Sequence, residues 1–270
     1  MEVSHTDNGS NSNRKTIYYT DELNDEFSTA QITPRQIDET YVYIHKSAWK
    51  KFTRFFWYHI VFMPIAFVYT KIKFRHKIVG KEKLKGFSKT GYFLYGNHTQ
   101  DIGDAFMPPM MSFPQTNYVI VHPNNVSMPL LGRITPSLGA LPLPDNFKAY
   151  RHFLDAIHTR IAEGHTVVIY PEGHIWPYYT GIRPFTDASF TYPMMENTPV
   201  FCFTNTYQKR KHSKKARIVT YIDGPFYQNE TLPLRERRKD LRDKVYTTML
   251  ERSHSSNCVQ IQYIKKSDEV

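Results

Sequence analysis

His98 and the carboxylates that follow it are the residues of this sequence best suited to chemistry. The segment Tyr95-Gly96-Asn97-His98-Thr99-Gln100-Asp101-Ile102-Gly103-Asp104 sets one imidazole within a few residues of two carboxyl groups. A neutral imidazole held through one nitrogen by a carboxylate can take a proton from an attacking hydroxyl at physiological pH. Asp104 is the expected orienting carboxylate, with Asp101 in reserve. A capping Asp next to a hydrogen-bonded His would give the same string without any chemistry. A second segment, Tyr170-Pro171-Glu172-Gly173-His174, ends the apolar run at 166–170. Glu172 can fix a cation or a substrate hydroxyl there, and Gly173 lets a substrate come close to the backbone. A tight turn with a solvated Glu is the plain alternative.

Both segments need strands to position them. A strand over 92–95 leads directly into His98 and puts it at the carboxyl end, where α/β sheets bind ligands. The run at 166–170 is continuous and β-branched, as a strand covered on both faces should be, and 200–203 and 218–222 repeat the pattern. A further strand is expected at 118–121. Residues 147–163 predict an amphipathic helix with Phe153, Leu154, Ile157 and Ile161 on one face, ended by Gly164. A closing helix at 240–251 and weak strand character at 259–264 complete the reading. The fold class is α/β: a mixed, mostly parallel sheet flanked by helices.

The first 40 residues are polar and charged and read as a mobile arm with at most local order. Residues 41–78 read as an amphipathic, interfacial helical element. Lys46, Lys50, Lys51 and Arg54 precede an apolar, aromatic run at 55–70, and Lys71, Lys73, Arg75 and Lys77 follow it. Aromatics between cationic collars suit the headgroup boundary, and the run falls short of the ~20 apolar residues a spanning helix needs. Pro64 is expected to kink or divide the helix. Residues 79–270 form the expected catalytic unit. No apolar signal region is visible near the start, so the expected location is the cytoplasmic face of a membrane, peripheral or monotopic.

A formal net charge of +10 argues for an anionic partner, which on charge alone is a nucleic acid, a phosphorylated substrate or an anionic bilayer. The 15% aromatic content raises the membrane surface in that ranking. Cys202 and Cys258 are the only cysteines, and no His or Cys spacing fits a metal, so neither a disulfide framework nor a metal site is expected. There is no phosphate-cradling glycine loop. The basic run from Lys209 to Lys215 reads as a solvated hairpin tip, with membrane docking as its second reading.

Together the two segments resemble the glycerolipid acyltransferase family, which includes the 1-acylglycerol-3-phosphate acyltransferases. That family carries an Asn-His-x4-Asp motif and, downstream, a Phe-Pro-Glu-Gly-Thr-Arg motif, each after a strand. Asn97-His98 and Pro171-Glu172-Gly173 match them; 132–144 resembles the middle motif, and Thr198-Pro199-Val200 the late strand. The resemblance implies acyl transfer from an acyl thioester, either acyl-CoA or acyl carrier protein, to the hydroxyl of a lysophospholipid, with no bound cofactor and no nucleic acid. It makes His98 the base and Asp104 its partner, and places Asn97, Glu172 and Gly173 at the substrate. Two departures stand out. Gly103 occupies the family's Asp offset, which puts Asp104 one residue late, and the family's arginines are missing from both later motifs. Phosphate binding is therefore reassigned to Arg183, with Arg133, Lys148 and Arg151 behind it. Phe106, Met107, Met110 and Met111 either line an acyl path or pack the core. The rival reading is a catalytically inactive, basic membrane-binding protein with the same core.

Overall fold

The structure, a computed structural model, describes residues 15–27, 32–87 and 89–266. At its centre β3 (Tyr92–Gly96) and β6 (Thr166–Ile169) pair in parallel, Tyr95 opposite Ile169. Beyond β6 lie β4 (Asn117–Val121) and β5 (Ala140–Pro142). Beyond β3 lie β7 (Val200–Arg210), β8 (Ser213–Phe226) and β2 (Lys77–Val79). The order across this seven-stranded sheet is β2-β8-β7-β3-β6-β4-β5, with every pairing parallel except β7 with β8. The expected mixed, mostly parallel sheet is what the chain forms.

The period-2 alternation of a strand sorts its side chains onto two faces. Phe93, Tyr95, Val167 and Ile169 enter one buried cluster with Phe153 and Ile157 of α4 (Phe147–Ala162) and Leu241, Val245 and Met249 of α6 (Leu234–Ser253). Tyr92, Leu94, Val168, Phe201 and Phe203 enter a second cluster with Leu84 and Met111. Both faces are covered, which is why these strands read as unbroken apolar runs. Asn146 caps α4 by accepting from the Ala149 N–H at 2.9 Å, and Gly164, at φ +77°, turns the chain into β6.

The helix before the sheet is longer than the apolar run suggested. It spans Ala48–Phe74, 27 residues, which by length and composition is enough to cross a membrane. It comprises α1 (Ala48–Phe55), a π-helical stretch Phe56–Phe62, and α2 (Met63–Phe74). Pro64 does not divide it. The wider π turn lies directly ahead of the proline, where an ordinary turn would drive the ring into the preceding carbonyl. One side of the helix packs on α3 (Gly103–Ser112), with the Phe62 and Tyr69 rings each 5.1 Å from that of Phe106. The other side is bare: Phe52, Ile60, Phe67 and Ile72 are each more than half exposed.

Residues 15–27 and 32–40 are more ordered than the arm expected of them; 1–14 and 28–31 lie outside the described residues. Strand β1 (Lys15–Tyr19) pairs in parallel with β9 (Ile261–Lys265), and Ile37 is buried with its N–H on Asp145 at 2.6 Å. Local composition is polar here, and the ordering comes from partners more than 100 residues away in sequence.

A buried polar chain runs through β7 and β8, from the residue after β3 to the residue before β2. The Asn97 side chain reaches Asn205, whose Oδ1 accepts from Thr220 at 2.6 Å. The Thr220 hydroxyl in turn accepts from His76 Nε2 at 2.7 Å, just ahead of β2. Burial, with the Lys71 and Arg217 cations adding to it, lowers the His76 imidazole from 6.5 to about 4. The unfolded chain therefore binds this proton first. The contribution is complete above pH 6.5 and is lost as the pH falls through 4, an expected loss of about 3 kcal/mol. His76→Gln should flatten that dependence, measured as the difference in urea midpoint between neutral and acid pH. Equal acid sensitivity in the variant would contradict it.

Candidate active site

Strand β3 ends at Gly96 opposite Phe203, and the chain then leaves the sheet. Asn97 prolongs the pairing with its side chain, its Nδ2 donating to the Asn205 carbonyl at 3.1 Å and its Oδ1 accepting from the Asn205 N–H at 2.8 Å. Both ends of this buried amide are used. Asn97, expected at the substrate, acts in this structure as a clamp that fixes where His98 begins.

His98 Nδ1 lies 2.8 Å from Asp104 Oδ2. The same oxygen accepts from the backbone N–H of Thr99 at 2.8 Å and of Gln100 at 2.9 Å. Three donors on one oxygen favour the ionised carboxylate, against a burial that pushes the carboxyl above its ordinary range. Asp104 sits in the first turn of α3, where the helix dipole also favours negative charge. With Nδ1 donating to the carboxylate, Nε2 carries the lone pair. The His98 side chain is 18% exposed and that of Asp104 2%, so the ring reaches solvent while its partner does not. Asp101 is exposed and forms no hydrogen bond among the described residues. Asp101→Ala is expected to leave turnover within about twofold of wild type, as surface substitutions away from such features usually do; a loss comparable to that of an Asp104 variant would reverse the assignment.

The one-residue delay of Asp104 is absorbed by the turn at Asp101 and Ile102 ahead of α3. Gly103 contributes space, without adopting a positive φ. A Cβ there would lie 2.8 Å from the Gln100 Cβ and 3.2 Å from the Phe74 ring. The reason for glycine is thus close packing, first against Gln100 of the same loop and then against Phe74 at the end of the long helix.

Tyr170 was not anticipated as part of the site. Its ring stacks on the His98 imidazole at 4.5 Å and 20°, and its hydroxyl donates to the Asp104 carbonyl. The parallel register of β3 and β6 carries it alongside Gly96, and an aromatic residue just ahead of Pro171-Glu172 was the available signal. Tyr207, from β7, was also missed. It donates to the Thr99 hydroxyl at 2.8 Å and accepts from Gln100 Nε2 at 3.0 Å, pinning the loop from the other side.

Adjacent strands bring the second segment under the first. Glu172 Oε2 accepts from the His98 N–H at 3.2 Å, and Oε1 accepts from the Arg183 N–H at 3.2 Å. Arg183 Nε lies 3.6 Å from Glu172 Oε2, and both side chains are 0% exposed. The guanidinium also donates to the carbonyls of Glu22, Glu172 and His174 and stands 5.0 Å over Trp176. Burial raises the Glu172 carboxyl and lowers Arg183, each opposed by the charge of the other. Glu172 fixes a cation here, that of Arg183, and both side chains are enclosed, whereas the phosphate-binding role expected of Arg183 calls for an accessible guanidinium. They form the floor that holds His98. Trp176 N–H to the His98 carbonyl, 3.1 Å, and Tyr178 N–H to the Thr99 carbonyl, 3.0 Å, complete that floor. Gly173, at φ +75°, is exposed, and nothing lies within 4 Å of where its Cβ would be. Arg133 is exposed on the turn Leu131–Arg133, and its side chain has no partner among the described residues. Met107 and Met111 are core residues, while Phe106 and Met110 pack against Tyr58, Phe62 and Ala66 of the long helix.

This arrangement can deprotonate a hydroxyl at Nε2 and hold the resulting imidazolium against Asp104. Residues 75–206, which contain both segments, match the family model described as Acyltransferase. That segment is similar to acyltransferases. Among solved structures, the 1-acyl-sn-glycerophosphate (LPA) acyltransferase PlsC from Thermotoga maritima is similar at 16% identity, with a TM-score of 0.48 over 70% of this chain and 76% of that one. No curated protein matches this sequence.

Proposed function

We propose that this acyltransferase moves a fatty acyl group from an acyl thioester, of coenzyme A or acyl carrier protein, to the free hydroxyl of a lysophospholipid. The first candidate acceptor is 1-acyl-sn-glycerol-3-phosphate. The observation that carries the reading is the His98–Asp104 contact, with Nε2 facing outward at the carboxyl end of the central strand. Nε2 takes the hydroxyl proton as the oxygen attacks the thioester carbonyl. The tetrahedral intermediate then collapses, the carbon–sulfur bond breaks, and the imidazolium returns the proton to the departing thiolate. Asp104 keeps the ring in the productive tautomer and offsets its positive charge. Tyr170 restricts the plane of the ring by stacking, so little reorganisation accompanies the transfer.

With Arg183 enclosed, Arg133 is the next candidate for the acceptor phosphate, ahead of Lys148 and Arg151, and its free guanidinium supports that role. Gly173 leaves room beside the site for an acceptor to approach the backbone. The bare side of the Ala48–Phe74 helix supports residues 41–78 as an interfacial element that brings the catalytic unit, 79–270, to lipid on the cytoplasmic face.

Purified protein incubated with lysophosphatidic acid and either acyl-CoA or acyl carrier protein thioester should yield phosphatidic acid, read by mass spectrometry. Lipid binding with no transfer from either donor and to any lysophospholipid would favour the inactive reading.

A further inference from the structure

The excess positive charge of the chain is concentrated in two stretches that the fold brings together. Residues 71–77 and 209–217 carry ten Lys and Arg and no Asp or Glu; the other 25 Lys and Arg are matched by 25 Asp and Glu, so these stretches account for the formal +10. The first is the end of the long helix and the residues just after it, and the second is the tip of the β7–β8 hairpin. Arg210 Nη2 donates to the Lys73 carbonyl at 2.6 Å, and Arg217 Nε donates to the Arg75 carbonyl at 3.0 Å. The two arginines thus tie the hairpin to the carbonyls at the helix end. Lys209, Lys211, Lys214 and Lys215 are exposed, and their side chains have no partner among the described residues.

Topology sets this charge on the same edge of the sheet as His98. β7 runs parallel to β3 and passes Gly96 at Phe203, and it continues beyond the end of β3 to Arg210. On the way Tyr207 touches the loop after His98, and Phe74, Met107, Tyr207 and Ile218 share one buried cluster. The exposed apolar side of the helix, including Ile72 at 73%, meets the cations at its own end.

We propose that residues 209–217, together with the helix end 71–77, form an electrostatic foot that docks on an anionic lipid bilayer and turns the His98 edge of the sheet toward it. The partner is argued from two features found together. Lone cations complement any polyanion, but cations that continue an exposed apolar, aromatic helix face complement the headgroup boundary above acyl chains. A nucleic acid or an acidic carrier protein would use the charge and leave the apolar face uncovered. The inference concerns binding alone and stands apart from the acyl-transfer reading.

The test compares two variants of equal net charge. One carries Lys→Gln at Lys209, Lys211, Lys214 and Lys215; the control carries it at the exposed Lys85, Lys89, Lys148 and Lys239, away from the foot. Co-sedimentation uses vesicles of phosphatidylcholine alone and with about 30 mol % phosphatidylserine, and circular dichroism verifies that each variant is folded. Wild type should prefer the anionic vesicles, and should lose that preference as salt is raised to ~0.5 M. The hairpin variant should bind anionic vesicles at least tenfold more weakly, from roughly 1 kcal/mol per surface cation, and the control variant within about twofold of wild type. Equal losses in both variants would overturn the proposal. So would undiminished vesicle binding by the hairpin variant, or a loss confined to an oligonucleotide or an acidic carrier protein added in place of vesicles.

Discussion

His98→Ala is expected to lower kcat for acyl transfer by ~10²- to 10⁴-fold, the usual contribution of a positioned general base, with KM for the acyl acceptor little changed. The ring touches protein through Nδ1 and its stacked face, and Nε2 has no partner among the described residues. Its removal therefore deletes the base without opening the core, and the variant should keep its melting temperature within a few degrees. Added imidazole should restore part of the rate. Asp104→Asn should also lose most of its turnover, because an amide can stabilise the wrong tautomer and cannot balance the imidazolium. The decisive measurement is kcat with purified, folded His98→Ala. Turnover equal to wild type would remove His98 from the mechanism and leave the edge of β3 as scaffold.

The second large effect concerns stability. Glu172→Ala is expected to cost ~3–5 kcal/mol, the range found when one partner of a buried ion pair is deleted and the other is left uncompensated. Arg183 would then hold a charge in a site with no exposed surface, and the His98 N–H would lose its acceptor. Glu172→Gln, which keeps an oxygen for one of the two N–H groups, should be milder. Arg183→Lys should fail as badly as Glu172→Ala, because an ammonium group cannot reach three carbonyls and a carboxylate at once. Urea denaturation at neutral pH measures these losses. If Arg183 variants were as stable as wild type and instead showed a raised KM for a phosphorylated acceptor, the pair would belong to the substrate, as the sequence had suggested.

The contrast between these two predictions turns on what the sequence leaves open about Arg183. A residue string records that an arginine follows a Pro-Glu-Gly segment; it does not record which way the guanidinium turns. Here the loop folds back under β3, and the Glu172 carboxylate, three carbonyls and the Trp176 face take up the arginine before any ligand can. The pairing of Asn97 was hidden for the same reason: its amide meets Asn205, more than 100 residues away. Tyr170 went unassigned because stacking on His98 depends on the register of two strands separated by over 70 residues.

Local pattern determined a good deal. Short runs of aromatic, aliphatic and β-branched residues marked the strands at 92–95, 118–121 and 166–170 to within a residue or so; the first and last are buried on both faces, where apolar residues serve. The 3.6-residue spacing of apolar positions fixed the helix at 147–163. His98 and Asp104 were legible as a pair because six residues of chain tether them, and the contact is short-range. The tertiary structure decided what depends on distant partners. It chose Asp104 over Asp101, enclosed Glu172 and Arg183, and ordered residues 15–19 against 261–265. It also joined two basic runs more than 130 residues apart into one surface. Periodicity and tethering act over a few residues and survive in the string; burial, register and charge clustering are set by which distant segments meet, and only the folded chain specifies that.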